Sequence, residues 1–320
     1  MELMNILEQA VKDDASDIFL VVGQAVSFKQ DGSIKKMDEA KLTPVDTENI
    51  ITNIYDKAGR SLSHFMTTGD DDFSLSIANL GRFRCNVFRQ RGTFGAVIRV
   101  VHFELPGYRE MRIPESIMKL SELNKGLVLV TGAAGSGKST TISYIIDRIN
   151  ETRNCHILTL EDPIEFLHRH KKSIVSQREV KIDSESYSSA LRAAMRQSPD
   201  VILVGEMRDY ETIDIAMTAA ETGHLVLSTL HTIGAANTID RVIDVFPASQ
   251  QQQIRVQLSM VLQAVVSQQL IPGINNELIP AFEIMKVNSA VKTMIRDNKI
   301  HQIDSVIYAS KKEEMITMDS

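Results

Sequence analysis

The sequence has few of the features that mark secreted, membrane-spanning or zinc-binding proteins. It holds only two cysteines, Cys85 and Cys155, and they form no CxxC pair, which favours a reducing, cytoplasmic compartment. The N-terminal segment lacks the basic and then apolar pattern of a signal peptide, and no apolar run approaches the roughly 18 residues that a membrane span needs. We therefore expect a cytoplasmic protein without direct membrane insertion.

An excess of positive charge is also missing. The chain carries 35 Lys and Arg against 41 Asp and Glu, a formal net charge of −6. This balance, and the lack of a basic face studded with aromatic residues, argue against a nucleic-acid partner. Hydrophobic residues make up 43% of the chain and charged residues 24%, as in globular proteins. A length of 320 residues is enough for two domains.

The first hundred residues predict a small α+β domain with an antiparallel sheet. Short strand-like runs alternate with turn signals at Asp31-Gly32 and Arg91-Gly92. Thr43 is predicted to cap a helix that begins at Pro44. We place this N-terminal domain at residues 1–101.

Residues 102–114 contain two prolines and little periodicity, and we interpret them as a linker. From 115 to 320, the unalternated apolar runs GLVLVTG, CHILTL, DVILVGE and HLVLSTLH are separated by helical stretches. Such runs predict a buried, mainly parallel sheet in an α/β domain. Residues 249–271 are predicted as one helix with Ser249 as its N-cap.

A phosphate-binding loop is predicted between an apolar strand and a helix. The segment matches G-x-x-x-x-G-K-[ST], in which backbone N–H groups and a helix N-terminus hold phosphate oxygens. Lys138 would reach the β- and γ-phosphates of ATP, and the Ser139 hydroxyl would bind Mg²⁺. The predicted nucleotide-binding residues are Gly132, Ala133, Ala134, Gly135, Ser136, Gly137, Lys138, Ser139 and Thr140.

The acidic residue that commonly follows a second apolar strand in proteins with this loop is displaced by one position. The run VILVGEMRD has Gly205 where an Asp that holds Mg²⁺ is common, and Glu206 follows it. Glu206 would orient or deprotonate the attacking water. The alternative is a strand-end Glu that only pairs with Arg208.

Three carboxylates in LTLEDPIEF, Glu161, Asp162 and Glu165, follow another apolar strand. Carboxylates are the oxygen ligands that Mg²⁺ prefers, usually through water, and we predict that Glu165 positions the metal or the water. The alternative is a helix start, with Asp162 as the cap and Pro163 as the first helical residue.

Two histidines flank the run HLVLSTLH, His224 before it and His231 at its end. A histidine at a strand end can contact the γ-phosphate, although a lone histidine is more often structural. In the first domain, RFRCNVF places Arg82 and Arg84 on one strand face, and Arg99 interrupts an apolar run.

The motifs GAAGSGKSTT, LTLEDPIEF, VILVGEMRD, TAAETGHLVLSTLHT and TIDRVIDVFP occur in this order. Together they closely resemble those of the type IV pilus retraction ATPases, the PilT family of the secretion ATPase superfamily. The resemblance covers nearly the whole chain. It implies a PAS-like N-terminal domain, a RecA-like C-terminal P-loop domain, and ATP bound between the two domains in a homo-hexamer.

The resemblance also implies residue roles: Glu206 as the catalytic acid, Glu165 in an acidic box, and His224 and His231 in a His box. By position, Arg84 and Arg99 would contact the γ-phosphate, with Arg82, Arg89 and Arg91 as alternatives.

The motor would lie on the inner face of the cell membrane and act through an inner-membrane platform protein of the pilus machinery. Family members usually continue with further helix beyond the MITMDS end. Ala133 and Ala134 replace the usual Pro and Thr of the loop, with little expected effect.

Other functions remain open at this point. An accessory retraction ATPase, or an assembly ATPase of pili or type II secretion, is the nearest alternative, although assembly members often carry a four-cysteine zinc site. A RecA-like nucleic-acid motor and a nucleotide-binding regulator that does not hydrolyse ATP are alternatives from other classes.

Overall fold

A computed structural model describes residues 2–30, 32–101, 105, 107–274 and 277–319. The chain divides into two compact units, Met1–Glu104 and Leu105–Ser320. Residues 102–104 and 106 of the predicted linker, and Asp31 of the predicted turn, lie outside the described residues. No helix in the described ranges has both the length and the hydrophobicity that crossing a bilayer requires.

The N-terminal unit is built on a six-stranded antiparallel sheet with strand order β3-β2-β1-β6-β5-β4. Its helices are α1 (Leu3–Lys12), α2 (Pro44–Ala58) and α3 (Ser63–Thr68). Its strands are β1 (Asp17–Leu20), β2 (Ala25–Gln30), β3 (Ser33–Lys41), β4 (Asp70–Ile77), β5 (Gly81–Gln90) and β6 (Thr93–Val101). This α+β architecture agrees with the sequence prediction.

Local signals in this unit act as predicted. Thr43 accepts a hydrogen bond from the Asp46 N–H, and the Asp46 carboxylate accepts from the Thr43 N–H, so a capping box starts α2. Apolar residues of α1, α2 and one sheet face share a core in which Ile6, Ile51 and Phe83 are fully buried. The alternation predicted for β5 holds, because Phe83, Cys85 and Val87 are buried.

The C-terminal unit contains a seven-stranded sheet with strand order β13-β12-β7-β11-β10-β8-β9. All neighbouring strands are parallel except the β12–β13 pair. The strands are β7 (Gly126–Thr131), β8 (His156–Glu161), β9 (Ile174–Glu179), β10 (Val201–Val204), β11 (Leu225–Leu230), β12 (Leu262–Pro272) and β13 (Leu278–Lys286). The helices are α4 (Glu115–Met118), α5 (Lys138–Thr152), α6 (Tyr187–Ala194), α7 (Tyr210–Glu221), α8 (Ala235–Asp244), α9 (Gln251–Val261), α10 (Ser289–Arg296) and α11 (Ile303–Ala309).

The unalternated apolar runs are explained by burial on both faces of this sheet. In β7, Leu127 and Leu129 belong to one core cluster, whereas Val128 and Val130 belong to another on the opposite face. A strand covered on both faces needs apolar residues at every position. The mainly parallel α/β sheet of this unit is therefore confirmed.

The single helix predicted over 249–271 is wrong. Helix α9 ends at Val261, and the chain continues directly as β12, which pairs with β7. Its first helical residue follows Gln250, and Ser249 does not cap it. The apolar residues of 262–271 are compatible with either element, and pairing with a central strand decides the outcome, helped by the β-branched Val265 and Val266.

Candidate functional site

The carboxyl ends of the parallel strands β7, β8, β10 and β11 meet at one edge of the C-terminal sheet, where α/β proteins bind their ligands. A cavity of about 290 Å³ opens there. Its lining comprises Ala134, Gly135, Lys138, Ser139, Ile142, Ser143, Glu161, Asp162, Pro163, Glu165, Tyr187, Leu203, Gly205, Glu206, Arg208, Thr229 and His231. An adjoining cavity is lined by residues 135–140 and Glu165.

The predicted phosphate loop curls at the entrance to α5. Lys138 is 7% exposed, and its Nζ donates hydrogen bonds of 2.9 Å to the carbonyl oxygens of Gly132 and Ala133. Burial lowers the pKa of Lys138, against the opposing charges of Glu206 and Glu165. Gly132 and Ala133 thus hold the lysine through their carbonyls, while residues 134–140 line the cavities.

Two glycines of the loop leave no room for a side chain. A Cβ on Gly132 would lie 2.2 Å from the Gln268 carbonyl oxygen, and one on Gly137 would lie 2.8 Å from Gln268 Nε2. Both glycines have positive φ, 147° and 87°, which a Cβ disfavours. The Ser136 hydroxyl is buried without a hydrogen-bond partner among the described residues. A tightly curled loop with a buried cation and a free hydroxyl suits a bound phosphate chain.

The position after β10, Gly205, requires glycine for steric reasons. A Cβ on Gly205 would lie 2.9 Å from the Tyr187 hydroxyl and 3.1 Å from the Leu160 carbonyl oxygen. The Gly205 N–H donates to that same carbonyl, over 2.7 Å. An aspartate has no space here, so the first carboxylate after β10 is that of Glu206.

Glu206 lies between two basic side chains. Its Oε2 is 2.7 Å from an Arg208 nitrogen, and its Oε1 is 3.2 Å from His231 Nε2. Burial of Glu206 opposes ionisation, but hydrogen bonding and charge from Arg208 and His231 outweigh it and lower the pKa of the carboxyl. The predicted Arg208 pair therefore exists, and Glu206 also faces the cavity as an ionised acceptor at neutral pH.

His231 connects Glu206 to the phosphate loop. Its second ring nitrogen, Nδ1, lies 3.4 Å from Lys138 Nζ. His224, in contrast, precedes β11 and hydrogen bonds to the Ala219 carbonyl through Nδ1, over 2.9 Å. Since a strand advances about 3.3 Å per residue, the seven steps along β11 separate the two histidines by about 23 Å, and His224 does not line this cavity.

The acidic residues at the end of β8 and just after it, Glu161, Asp162 and Glu165, lie in three different environments. Thr159 and Gln177 donate hydrogen bonds to Glu161, and burial raises the pKa of its carboxyl to about 7. Asp162 pairs with Lys181 over 2.8 Å. Glu165 is exposed and lines both cavities.

The alternative in which Asp162 caps a helix is wrong, because residues 162–170 form no helix. The described residues contain no group of three or more His, Cys, Asp or Glu side chains arranged around a metal position. A hydroxyl and a carboxylate beside a phosphate chain are the protein contribution expected for Mg²⁺, which keeps water and phosphate ligands. Ser139 and Glu165 are the side chains at this cavity edge that suit that role.

Sequence reasoning missed three residues of this region. Tyr187 lines the cavity beside Gly205, Thr229 donates to the Gly205 carbonyl over 2.6 Å, and Gln268 lies beneath the loop. Thr229 belongs to the apolar run HLVLSTLH, and its position next to the end of β11 is a signal that it lies near the site. Tyr187 and Gln268 are brought in by elements distant in sequence, which no local signal indicates.

The two predicted arginines of the N-terminal unit lie directly opposite each other. Arg84 of β5 pairs with Arg99 of β6 in the sheet register. Arg99 Nε donates to Asp17 Oδ1 over 3.0 Å, whereas Arg84 has no ion-pair partner among the described residues. Like charges directly opposite each other destabilise a sheet. Arg82, one of the alternatives, donates to Ser76.

Comparisons with known proteins agree with this geometry. A family profile described as "Type II/IV secretion system protein" matches residues 1–314. The chain is 43% identical to the type IV pilus retraction ATPase PilT of Pseudomonas aeruginosa, across 100% of this chain and 92% of that protein. It is 44% identical to a twitching motility protein of Neisseria gonorrhoeae, across 90% of this chain and 77% of that protein. A crystal structure of the pilus retraction motor PilT with bound ADP matches with a TM-score of 0.87 and 43% identity, covering 100% of this chain and 95% of that one.

Proposed function

Because the chain belongs to the type II/IV secretion system protein family, we propose that it hydrolyses ATP and uses the energy to retract a type IV pilus. One observation carries the proposal. The ionised carboxylate of Glu206 faces a cavity whose opposite side is a phosphate loop, and His231 lies 3.2 Å from that carboxylate and 3.4 Å from Lys138 Nζ. The names of the relatives support the retraction role.

The phosphate chain of ATP would occupy the curl of residues 132–140. The loop amides and Lys138 would hold the β- and γ-phosphates, with the Lys138 ammonium turning from the loop carbonyls to the phosphate oxygens. Ser139 and Glu165 would hold Mg²⁺, Glu165 through water. When bound, Mg²⁺ neutralises negative charge on the β- and γ-phosphates.

Glu206 would accept a hydrogen bond from the attacking water and hold its oxygen in line with the γ-phosphorus. The water oxygen bonds to that phosphorus, the bond to the ADP oxygen breaks, and the water proton passes to Glu206 or to the released phosphate. His231 would keep Glu206 oriented through its Nε2. Because most of the catalysis lies in positioning, the fixed Arg208–Glu206–His231 arrangement supports this assignment.

Arg84 and Arg99 are proposed as the arginines that stabilise charge on the γ-phosphate in the transition state. Their facing positions on β5 and β6 support this, since two opposed guanidinium groups cost stability that a bound anion would recover. An arginine of this kind is worth about 10³–10⁵ in rate.

The assembly that we propose is a homo-hexamer on the cytoplasmic face of the inner membrane. It would act on the pilus machinery through an inner-membrane platform protein. A role as an accessory retraction ATPase, or as a pilus-assembly or type II secretion ATPase, is the alternative within the family.

Substitution of the carboxylate tests the enzyme. Glu206→Gln keeps the size and one acceptor oxygen, but removes the negative charge and one of the two oxygens that face Arg208 and His231. We expect turnover of ATP to fall about 10²–10⁴-fold while ADP binding, measured by calorimetry, stays within about threefold. Glu211→Gln removes the charge of another arginine-paired carboxylate, one that lines neither cavity, and is the matched control. Unchanged turnover in Glu206→Gln would contradict the mechanism.

Deletion of the gene tests the cellular role. Cells that lack a retraction motor should carry more pili and lose twitching motility, as counted by electron microscopy and by colony expansion. Cells without pili would indicate an assembly ATPase. Retraction that persists at reduced force would indicate the accessory role.

A further inference from the structure

The β12–β13 hairpin contacts two segments of the candidate site, the phosphate loop (132–140) and the segment 231–235 that follows β11. The contacts are made by Ser267, Gln268 and Glu283. Ser267 lies opposite Glu283 in the hairpin register, and Gln268 follows Ser267. β12 also pairs in parallel with β7, with Ser267 opposite Thr131, so that Gln268 lies beside the first residue of the phosphate loop. None of these three side chains lines the cavity that holds Glu206.

Gln268 of β12 holds the phosphate loop through contacts with the loop glycines and with α5. Its side chain accepts a hydrogen bond of 2.7 Å from the Thr141 hydroxyl in the first turn of α5, and the residue is 3% exposed. Its backbone carbonyl oxygen lies against Gly132, and its side-chain nitrogen Nε2 lies against Gly137. One residue of β12 therefore contacts both the start and the end of the loop.

Ser267 and Glu283 fix the segment that follows His231. The N–H of Gly234 donates to Ser267 Oγ over 2.9 Å, and the N–H of Ala235 donates to Glu283 Oε1 over 2.7 Å. These are consecutive residues at the start of α8, which has no side-chain cap from its own N-cap residue. A carboxylate at a helix N-terminus is favourable, and here it comes from a different element.

The segment 231–235 is thus held at both ends, at His231 by Glu206 and at Gly234–Ala235 by the hairpin. We propose that Ser267, Gln268 and Glu283 are positioning residues: Ser267 and Glu283 place His231 against Glu206, and Gln268 sets the curvature of the phosphate loop. This proposal rests on the proposed ATP hydrolysis. It predicts that substitutions of Ser267 and Glu283 lower kcat, whereas substitution of Gln268 weakens nucleotide binding.

Glu283→Ala should lower kcat about 10- to 100-fold, because a misplacement of about 1 Å near the reacting groups can cost 10²-fold. The KM for ATP and the Kd for ADP should stay within about threefold. Glu283→Gln keeps an acceptor oxygen at the same place and should restore turnover to within about threefold of the wild type. Glu277→Ala removes an exposed carboxylate from the same hairpin, paired only with Arg112 in the described residues, and is the matched control.

A double mutant identifies the residue through which Glu283 acts. If Glu283 works through His231, the loss caused by Glu283→Ala should largely disappear when it is made in His231→Ala, because coupled residues are not additive. Full additivity of the two losses would overturn the proposal. A lower thermal midpoint in Glu283→Ala with unchanged kcat would also overturn it, since that pattern indicates a merely structural residue.

Gln268→Ala should act on binding, with about a tenfold weaker Kd for ADP, measured by calorimetry on the full chain. Thr141→Val removes the partner hydroxyl with little change of shape and should weaken ADP binding in the same direction. Wild-type affinity in both variants would overturn the role of Gln268. If the wild-type protein binds ADP but does not turn over ATP, the proposed function and the roles of Ser267 and Glu283 fail, whereas the ADP data still decide the role of Gln268.

Discussion

Replacement of Gly205 by alanine probes the packing that places Glu206. The added Cβ would lie 2.9 Å from the Tyr187 hydroxyl, 3.1 Å from the Leu160 carbonyl oxygen and 3.3 Å from the Glu161 Cα. The tyrosine can move, but the carbonyl cannot, because it accepts the Gly205 N–H in the sheet. Overpacking of this size costs about 1–3 kcal/mol.

For a unit of this size, that cost lowers the thermal midpoint by about 2–12 °C. The same displacement moves Glu206, the next residue, and we expect ATP turnover to fall about tenfold or more. The assays are thermal unfolding followed by circular dichroism, and steady-state phosphate release. Gly107→Ala is the control, because its added Cβ would meet only the flexible side chain of Glu110, at 3.4 Å.

A second substitution tests whether the contact with the Tyr187 hydroxyl causes the loss of stability and turnover in Gly205→Ala. Tyr187→Phe removes the atom nearest to the new Cβ and should restore part of the midpoint and part of the turnover in the Gly205→Ala background. The contact with the Leu160 carbonyl keeps the rescue incomplete. A Gly205→Ala protein with wild-type midpoint and turnover would refute the steric explanation for the glycine.

Three further changes test other parts of the molecule. Lys138→Ala should abolish measurable ADP binding in calorimetry; retained micromolar affinity would contradict the phosphate-loop assignment. Arg84→Thr should lower turnover about 10³-fold or more and raise the unfolding free energy by a few tenths of a kcal/mol, because the repulsion with Arg99 is relieved. Burial raises the pKa of Glu161 from 4.5 to about 7, so the unfolded chain ionises first and stability falls as pH rises between these values. Glu161→Gln should lack this part of the pH dependence of the thermal midpoint.

The parts of the site that follow from consecutive residues could be predicted from sequence. The phosphate loop needs glycines, a lysine and a hydroxyl at fixed spacing, and β7 and α5 flank it as the pattern indicates. The position of Glu206 after β10 also follows from the apolar run before it. In the first domain, the residues that start α2, Thr43 and Pro44, encode the cap locally.

The parts that depend on long-range pairing could not be predicted. The residues of β12 are compatible with a helix until they meet β7, and this pairing brings Gln268 beneath the loop. A site role for His224 is implied only by the resemblance to the family's His box. In the structure, His224 precedes β11 and lies at the opposite end of that strand from His231.

The strand order has a consequence for the synthesis of this chain. β7 lies between β11 and β12 in the sheet, yet both neighbours are translated long after it. At about 5–20 residues per second, the ribosome adds Gln268 on the order of ten seconds after Thr131. Until β11 (Leu225–Leu230) is translated, the nascent chain holds a finished nucleotide motif beside an apolar strand that has neither of its neighbours. An unpaired strand of this kind is prone to aggregation. The phosphate loop gains its contacts with Gln268 only after the β12–β13 hairpin has been translated.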